Sequence, residues 1–490
     1  MVVFDFGTNN SVCAYYKPEF GKGMKRLTLE GRDYEPSAVK VASPIIASLA
    51  GRKAMERVMI DPSIILYPKN YINGETEIVT TREGNTCNII DAGQALFMHL
   101  KKIYEVEDGE KTLICYPSYF NDAQVSMLIK MAEKAGLNVW GMVEEPIAAI
   151  FGYLDMENLP TKKKYYRISD IGAGTHDVAI IEVSKEQIRV MKTFGAKIGG
   201  DDLDYALQKL CLQQLKQNGM DIEGDVQTAQ RLKIETEQCK IALSNPWCLE
   251  VVDKINGKDV YGYKFMIYIE KYNRHCEFVI TEKEYHDEIC RELWNRMHEL
   301  LKEAETYEKE NKIKIDTHLL IGGTHCEPYF VKKYKDLYET SGKVVPYLQK
   351  QAVAVGGAIY GHLLEVNDKR IKMTLGIRTI INQKNYCIHN YIFREDNFPI
   401  EKCFYVSPYD KNSTVFSLKI YSSDSNEEFI SESEGLHIAT YELKTDRHVA
   451  KDSQIKVIFR MKGPGFLEVE AVELSTDKKI HGKLPLRRVF

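Results

Sequence analysis

The sequence predicts a duplicated α/β unit followed by an all-β region, and three observations carry that prediction. Residues 2–16, VVFDFGTNNSVCAYY, and residues 167–181, RISDIGAGTHDVAII, share one pattern. Each has an apolar strand, Asp-x-Gly, three small polar or glycine positions and a second apolar strand. Strand-like and helix-like periodicities then alternate as far as residue 364. Beyond that point helical periodicity stops, and short alternating stretches separated by turn residues run to residue 490.

The elements follow in order. Residues 2–16 make the first hairpin, 26–29 a short third strand, 36–41 another strand and 53–60 a helix. Asp91 is placed to cap a helix reaching Tyr104, with Ala92, Ala95, Leu96, Leu100 and Ile103 on one face. Residues 112–115 read as a buried strand that ends before Pro117. Asn121 or Asp122 caps a helix with the stripe Val125, Leu128, Ile129 and Ala132, stopped by Gly136. A strand over 139–143 leads to Pro146, well suited to the first turn of a helix. In the second half, strands are expected over 165–168, 178–183 and 189–194, and a helix after Gly199-Gly200-Asp201-Asp202. A helix over 228–243 precedes a β-rich insert, and Thr281-x-x-Glu284 opens a long amphipathic helix as a capping box. Strand 317–321 runs into Gly322-Gly323-Thr324, and helix 352–364 closes the α/β pattern. After the polar bridge 366–370, the clearest strands are 415–420, 436–443, 455–460 and 466–472.

Composition narrows the class. A chain of 490 residues has room for two or three cores. A formal net charge of −4 gives no reason to expect nucleic acid or membrane as a partner. No apolar run has the length of a membrane span, and Met1 leads into a strand instead of a charged leader. Eleven cysteines without a C-x-x-C pair argue against a zinc site or a disulfide framework and fit a reducing cytoplasm.

The chemistry lies in the hairpins. A glycine-rich strand–turn–strand lets several backbone N–H groups converge on a phosphate. An aspartate at the strand end can hold a hydrated divalent cation beside it. Two such hairpins predict one nucleotide clamped between two halves. Other residues are individually weak. Lys69 alone reads as a solvated lysine, Glu145 as a favourable charge at a helix N-terminus, Gly322-Gly323 as a turn and Asp201-Asp202 as a helix start. His176 reads as a packing or solvent-facing residue.

Taken in order, the motifs resemble the heat-shock 70 kDa chaperone family, a branch of the actin and sugar-kinase ATPase superfamily. The segments that carry the resemblance are Phe4 to Ser11, Tyr116 to Gln124, Ala135 to Val139, Glu145 to Ala149, Asp170 to Asp177, Ile198 to Asp204 and Arg231 to Ser244. The resemblance implies an actin-like two-lobed ATPase domain of duplicated ribonuclease-H-like halves over 1–364. A linker over 365–373 and a β-sandwich peptide-binding domain over 374–490 would follow, without the family's helical lid. It implies ATP or ADP with Mg2+, a K+ ion, and slow hydrolysis. The catalytic set would be Lys69, orienting the attacking water, with Glu145, Asp170 and Thr175. Asp5, Asp170 and Asp177 would serve the metal ions. Gly7, Thr8, Asn9, Asn10, Gly172, Ala173, Gly174, Gly199 and Gly200 would surround the phosphates. Glu237, Lys240 and Ser244 would contact adenosine, and Gly322, Gly323 and Thr324 would let the backbone approach the α-phosphate and ribose.

In the β-region, Ile377, Ile380, Phe416 and Leu418 match the family's peptide pocket, or else fill a sandwich core. The implied partners are unfolded or extended polypeptide, a J-domain co-chaperone and a nucleotide exchange factor. Departures bear on the coupling between these parts. Ile241 stands where an arginine stacks on adenine. The linker is charged instead of leucine-rich. Val125 replaces the arginine that accompanies the switch proline, here Pro117, and Gly141 replaces a basic residue used in J-domain docking. The leading expectation is a chaperone-like ATPase. Alternatives are a regulatory adaptor with weak ATPase activity and no client-release cycle, and a sugar or carboxylate kinase.

Overall fold

The computed structural model describes residues 1–16, 24–26, 34–58, 60–157, 160–185, 188–255, 258–366, 370–381, 385–407, 414–444 and 454–486. Two mixed sheets organise the first three quarters of the chain. One has the strand order Asn138–Glu144, Lys111–Tyr116, Val2–Asp5, Asn10–Tyr16, Met24–Arg26, with Glu35–Pro36 also on Asn10–Tyr16. The other runs Lys343–Pro346, Thr317–Ile321, Lys164–Ile171, His176–Val183, Ile188–Ala196. Strand senses match position by position: each hairpin is antiparallel, and the strands beyond its first arm are parallel. The duplication legible in two short motifs therefore extends through whole sheets.

Each sheet sends a helix into the space between them. Glu145–Glu157 and Ala352–Val366 are apolar along most of their length, as buried helices must be. They cross at glycines. A Cβ built on Gly356 would lie 1.8 Å from the Ala148 carbonyl oxygen, and one on Gly152 would lie 3.0 Å from the Gly356 Cα. Gly356→Ala is therefore expected to destabilise the protein by about 3 kcal/mol or more, since the new methyl meets backbone and cannot be accommodated by a rotamer change. Denaturant unfolding of that variant measures it; a midpoint within error of the parent would mean the crossing is looser.

Several local expectations shift. The helix given to Asp91 starts earlier, at Ile89–Ile103, because Asn88 is extended and its side chain accepts from Ile90 N at 2.7 Å. Asp91 sits in the first turn instead, where its charge still favours the dipole. The helix expected over 53–60 is one turn, Arg52–Met55, followed by turns. Asn121 is the cap of Asp122–Lys134, with a complete capping box through Gln124. Thr281 does cap its helix, which passes through a π-helical stretch, Tyr285–Cys290, before Arg291–Glu310. Residues 27–29 of the short third strand lie outside the described residues.

The C-terminal strands form two antiparallel sheets. One has the order Phe429–Ser431, Asn385–Ile392, Thr374–Ile381, Val415–Ser423, Leu436–Lys444, and the other Ile400–Val406, Ile455–Met461, Phe466–Glu473, Lys478–Pro485. Tyr391 of the first stacks on Phe404 of the second, which meets Phe459 edge-on. These sheets rest on the first α/β sheet. Trp140 packs edge-on against Phe398, Met142 N donates to Pro464 O at 3.1 Å, and Ser126 Oγ donates to Lys483 O at 3.1 Å. No helix among the described residues is long and apolar enough to cross a membrane.

Candidate active site

A cavity of about 750 Å³ opens between the two hairpins. It is lined by Asp5, Gly7, Thr8, Asn9 and Asn10 from the first and by Asp170, Gly172, Ala173, Thr175 and Asp177 from the second. Lys69, Glu145, Gly200, Glu237, Lys240, Ser244, Gly322, Gly323 and Thr324 line the same space. Of the residues expected at a nucleotide, Gly174 and Gly199 fall outside the lining, and Gly199 packs behind it. A Cβ on Gly199 would lie 2.4 Å from Ala173 O. Ile377, Ile380, Phe416 and Leu418 are elsewhere, on the neighbouring strands Thr374–Ile381 and Val415–Ser423. There Ile377 and Leu418 are fully buried, while Phe416 is partly buried.

The loops are shaped by backbone contacts that side chains would break. A Cβ on Gly7 would lie 2.1 Å from Asn10 O, so the first hairpin closes only with glycine there. Gly322 has φ 85°, in the left-handed region, and packs on Ile171 O. Thr324 Oγ1 donates to Gly172 O at 2.6 Å, tying the Gly-Gly loop to the second hairpin. Asn9 Nδ2 donates to Asp201 Oδ1 at 3.3 Å and bridges the halves. Asp202 accepts from Gly199 N at 2.8 Å, as a helix start does.

Lys69 is not a solvated lysine. It lies on the 3-10 turn Pro68–Tyr71, entered through Tyr67 at φ 59°, and is 8% exposed. Its Nζ donates to Glu145 Oε1 at 2.8 Å, at the first residue of Glu145–Glu157. Burial opposes the Lys69 charge, but Glu145, Tyr119 and Asp5 together hold it well above the usual lysine range. The carboxylates are pushed the other way. Burial raises Asp5 to about 7, with repulsion from Glu145 adding and Lys69 opposing. Burial likewise lifts Asp177 to about 7, helped by Glu145. Asp170 is raised by burial and by Glu145, Asp177 and Asp5. Such a cluster lacks positive charge.

Among the described residues no three His, Cys, Asp or Glu side chains form a metal cage. Mg2+ keeps several waters and needs only one or two carboxylates beside phosphate. Asp5 and Asp170, at equivalent strand ends, fit that demand. Asp5→Asn and Asp170→Asn are each expected to weaken magnesium-dependent nucleotide affinity at least about tenfold. Both folded pKa values are raised, so these charges oppose folding above the ordinary aspartate range. Metal-free stability at pH 8 should therefore be equal or higher in the variants. Calorimetry with and without Mg2+, beside thermal unfolding, checks both halves; unchanged affinity removes the carboxylates from the site.

Sequence reasoning missed one residue that supports the lining and several that line it. Asp204 pairs with Lys240 at 2.5 Å, so Lys240 also fastens Val226–Leu243 to Gly200–Gln217. The i, i+3 spacing of Asp201 and Asp204 on a helix was the available signal. Glu327, Cys326 and Lys350 line the cavity itself. His176 is fully buried, bonded to Ser169 Oγ at 2.8 Å, and held neutral near pKa 3 by burial and His325. The packing reading of His176 holds and the solvent-facing one does not.

A family model described as Hsp70 protein matches residues 48–485. The chain is similar to "Chaperone protein DnaK" of Mycoplasmoides gallisepticum, 24% identical across 98% of this chain and 79% of the relative. It is also similar to the DnaK chaperones of Guillardia theta, 28% identical across 99% and 76%, and Thermotoga neapolitana, 27% identical across 98% and 79%. With two matched hairpins, a carboxylate-lined cleft between them and a family match over most of its length, the chain belongs to the Hsp70 family of ATP-hydrolysing chaperones.

Proposed function

We propose that this protein is a slow Mg-ATPase that holds extended polypeptide on its C-terminal sheets. In this reading residues 1–364 are an actin-like two-lobed ATPase and 374–490 a β-sandwich, joined through 365–373, of which 367–369 lie outside the described residues. The observation that carries it is the buried Lys69–Glu145 pair facing Asp5 and Asp170 inside one cleft. Phosphoryl transfer to water needs positioning and charge compensation more than covalent help. Magnesium, held by Asp5 and Asp170, would supply charge compensation on the phosphates. Lys69 Nζ orients the attacking water, and either Glu145 or Asp170 accepts the water's proton, directly or through a second water. The amides around Gly7 and from Gly172 to Thr175 would donate to phosphate oxygens, and Asp177 would help bind a K+ ion. The apolar contact for one peptide side chain is assigned to Ile377, Ile380, Phe416 and Leu418, of which Ile377 and Leu418 are buried and Phe416 partly buried.

A second reading, a nucleotide-binding adaptor without a release cycle, is favoured by one observation. Gly141, which replaces a basic residue used in J-domain docking, is covered by Pro464: a Cβ there would lie 2.7 Å from the Pro464 oxygen. The two readings separate in one experiment. ATP turnover is measured with and without unfolded polypeptide, and peptide affinity is titrated in ATP and ADP. Stimulated turnover supports the chaperone cycle. Because the linker is charged, peptide affinity is expected to differ less than about tenfold (roughly 1.4 kcal/mol) between nucleotides. A larger difference would mean that the docked sheets themselves carry the coupling.

A further inference from the structure

One wall of the cleft is left over from the proposed chemistry. On the first half it is made by Val12, on the strand Asn10–Tyr16, and by Tyr34 and Pro36, Pro36 being the register partner of Asn10. On the second half it is made by Lys350, Ala352 and Val353, the last two opening the helix Ala352–Val366. Val12, Pro36, Ala352 and Val353 are buried and apolar, which leaves half-buried Tyr34 and exposed Lys350 as the polar side chains of the six. Lys350 Nζ stands 5.3 Å from the centroid of the Tyr34 ring, a contact that crosses from one half to the other.

Lys350 differs from the other lysines of the cleft. Lys69 is paired with Glu145 at 2.8 Å and Lys240 with Asp204 at 2.5 Å, whereas Lys350 has no carboxylate at ion-pair distance among the described residues. Its position says which part of a nucleotide comes near it. Gln349 O, one residue before, accepts from Gly322 N at 2.7 Å, and the Lys350 charge acts on the Cys326 thiol, so Lys350 flanks the Gly-Gly loop. Thr324 Oγ1 ties that loop to Gly172 of the second hairpin at 2.6 Å. A Cβ on Gly200 would lie 3.1 Å from the same Thr324 Oγ1 and 3.5 Å from Lys240 Nζ. The loop thus joins the phosphate end of the cleft to the adenosine end, and the ribose is the part of a nucleotide that spans such a join.

We propose that this wall takes a second anionic group carried on the ribose, a 2′- or 3′-phosphate of an adenine nucleotide, with Lys350 Nζ donating to it and the Tyr34 hydroxyl as a further donor. The inference rests on the nucleotide reading above. A lysine meets phosphate as a point charge without the paired bonds of an arginine, so the gain is moderate. ADP bearing a 2′- or 3′-phosphate is expected to bind at least about fivefold (~1 kcal/mol) tighter than ADP at low salt. The advantage should shrink toward one at about 0.5 M salt, because Lys350 is exposed and its charge is screened. In a cleft lined by Asp5, Glu145, Asp170 and Asp177, a further dianion with no cation to meet it would instead bind worse than ADP.

Equilibrium titration of the full chain with MgADP and with its 2′- and 3′-phosphorylated forms reads the ratio of affinities directly. Lys350→Met should bring that ratio to one or below, and Lys350→Arg should keep it above one. The tighter isomer names the hydroxyl that faces Lys350. A wild-type ratio at or below one for both isomers overturns the assignment while leaving nucleotide binding intact, and so does a preference that survives in Lys350→Met. Failure of the wild type to bind ADP itself overturns the nucleotide reading instead. Should Lys350→Met lose all nucleotide binding because the contact with Tyr34 is gone, Tyr34→Phe decides. It keeps the ring under the ammonium and removes the hydroxyl, so the ratio should fall at least about twofold, and an unchanged ratio overturns the proposal.

Discussion

Lys69→Ala is expected to lower ATP turnover at least about a hundredfold while leaving ADP affinity within about threefold of the parent. The asymmetry follows from where the ammonium sits. Its partner is Glu145 at 2.8 Å, and neither phosphate loop contains it. In the proposed reading the ground-state nucleotide would be held by glycine backbone, magnesium and the residues around Lys240. In that reading Lys69 would act on water and on the charge that builds during transfer, so its loss would fall on the transition state. A second consequence separates this from general damage. Lys69 holds the Asp5 pKa down, so its removal should push that carboxyl still higher. The magnesium requirement for residual turnover should then shift to higher concentration below about pH 8. Phosphate release in steady state, with an ADP titration and a magnesium series, measures all three. Turnover like that of the parent would remove Lys69 from the mechanism, whatever the pairing distance.

How much of this was legible follows from the range over which each feature is decided. The hairpins are local: strand, Asp-x-Gly, small residues and strand are contiguous, so residues 2–16 and 167–181 state their own geometry. Nucleotide-facing residues on other elements came through family resemblance, since no spacing rule brings Lys69 to Glu145, 76 residues away. Asp204 was missed because its role depends on two helices meeting, and Glu327 because a carboxylate before Pro328 reads simply as a helix cap. Asn88 displaced Asp91 as cap because backbone geometry, not carboxylate chemistry, picks the capping residue. The seating of the C-terminal sheets on Trp140, Gly141 and Met142 was illegible for a different reason. Gly141 read as the loss of a basic group, when it is the space that another strand turn occupies.

That occupied space makes the second large effect. Gly141→Arg is expected to lift the C-terminal sheets off the first α/β sheet. A Cβ at Gly141 would lie 2.7 Å from the Pro464 oxygen, the same oxygen that Met142 N donates to at 3.1 Å. The turn cannot slide, because Gly463 is pressed on the Trp140 carbonyl and Gly465 holds a left-handed φ of 96° against Met142. An arginine must therefore break the backbone hydrogen bond and separate Trp140 from Phe398 and Met142 from Phe466, all buried now. Each large apolar side chain returned to water costs about 1.5–3 kcal/mol, an upper bound for a partial separation. Charge cannot hold the interface in their place. The Lys483–Glu133 pair beside it is partly exposed, so salt screens it, whereas salt leaves the glycine contacts alone. The parent should accordingly stay docked at 0.5 M salt, and Gly141→Arg should separate at any salt. Scattering should report a larger radius, residues 365–373 should become cleavable by protease, and Trp140 emission should shift to the red. Trp247, 95% exposed, contributes a constant background to that emission. If the variant scatters and cleaves like the parent, the backbone contact at Gly141 is not what holds the sheets together, and the aromatic pair of Trp140 and Phe398 becomes the anchor to remove next.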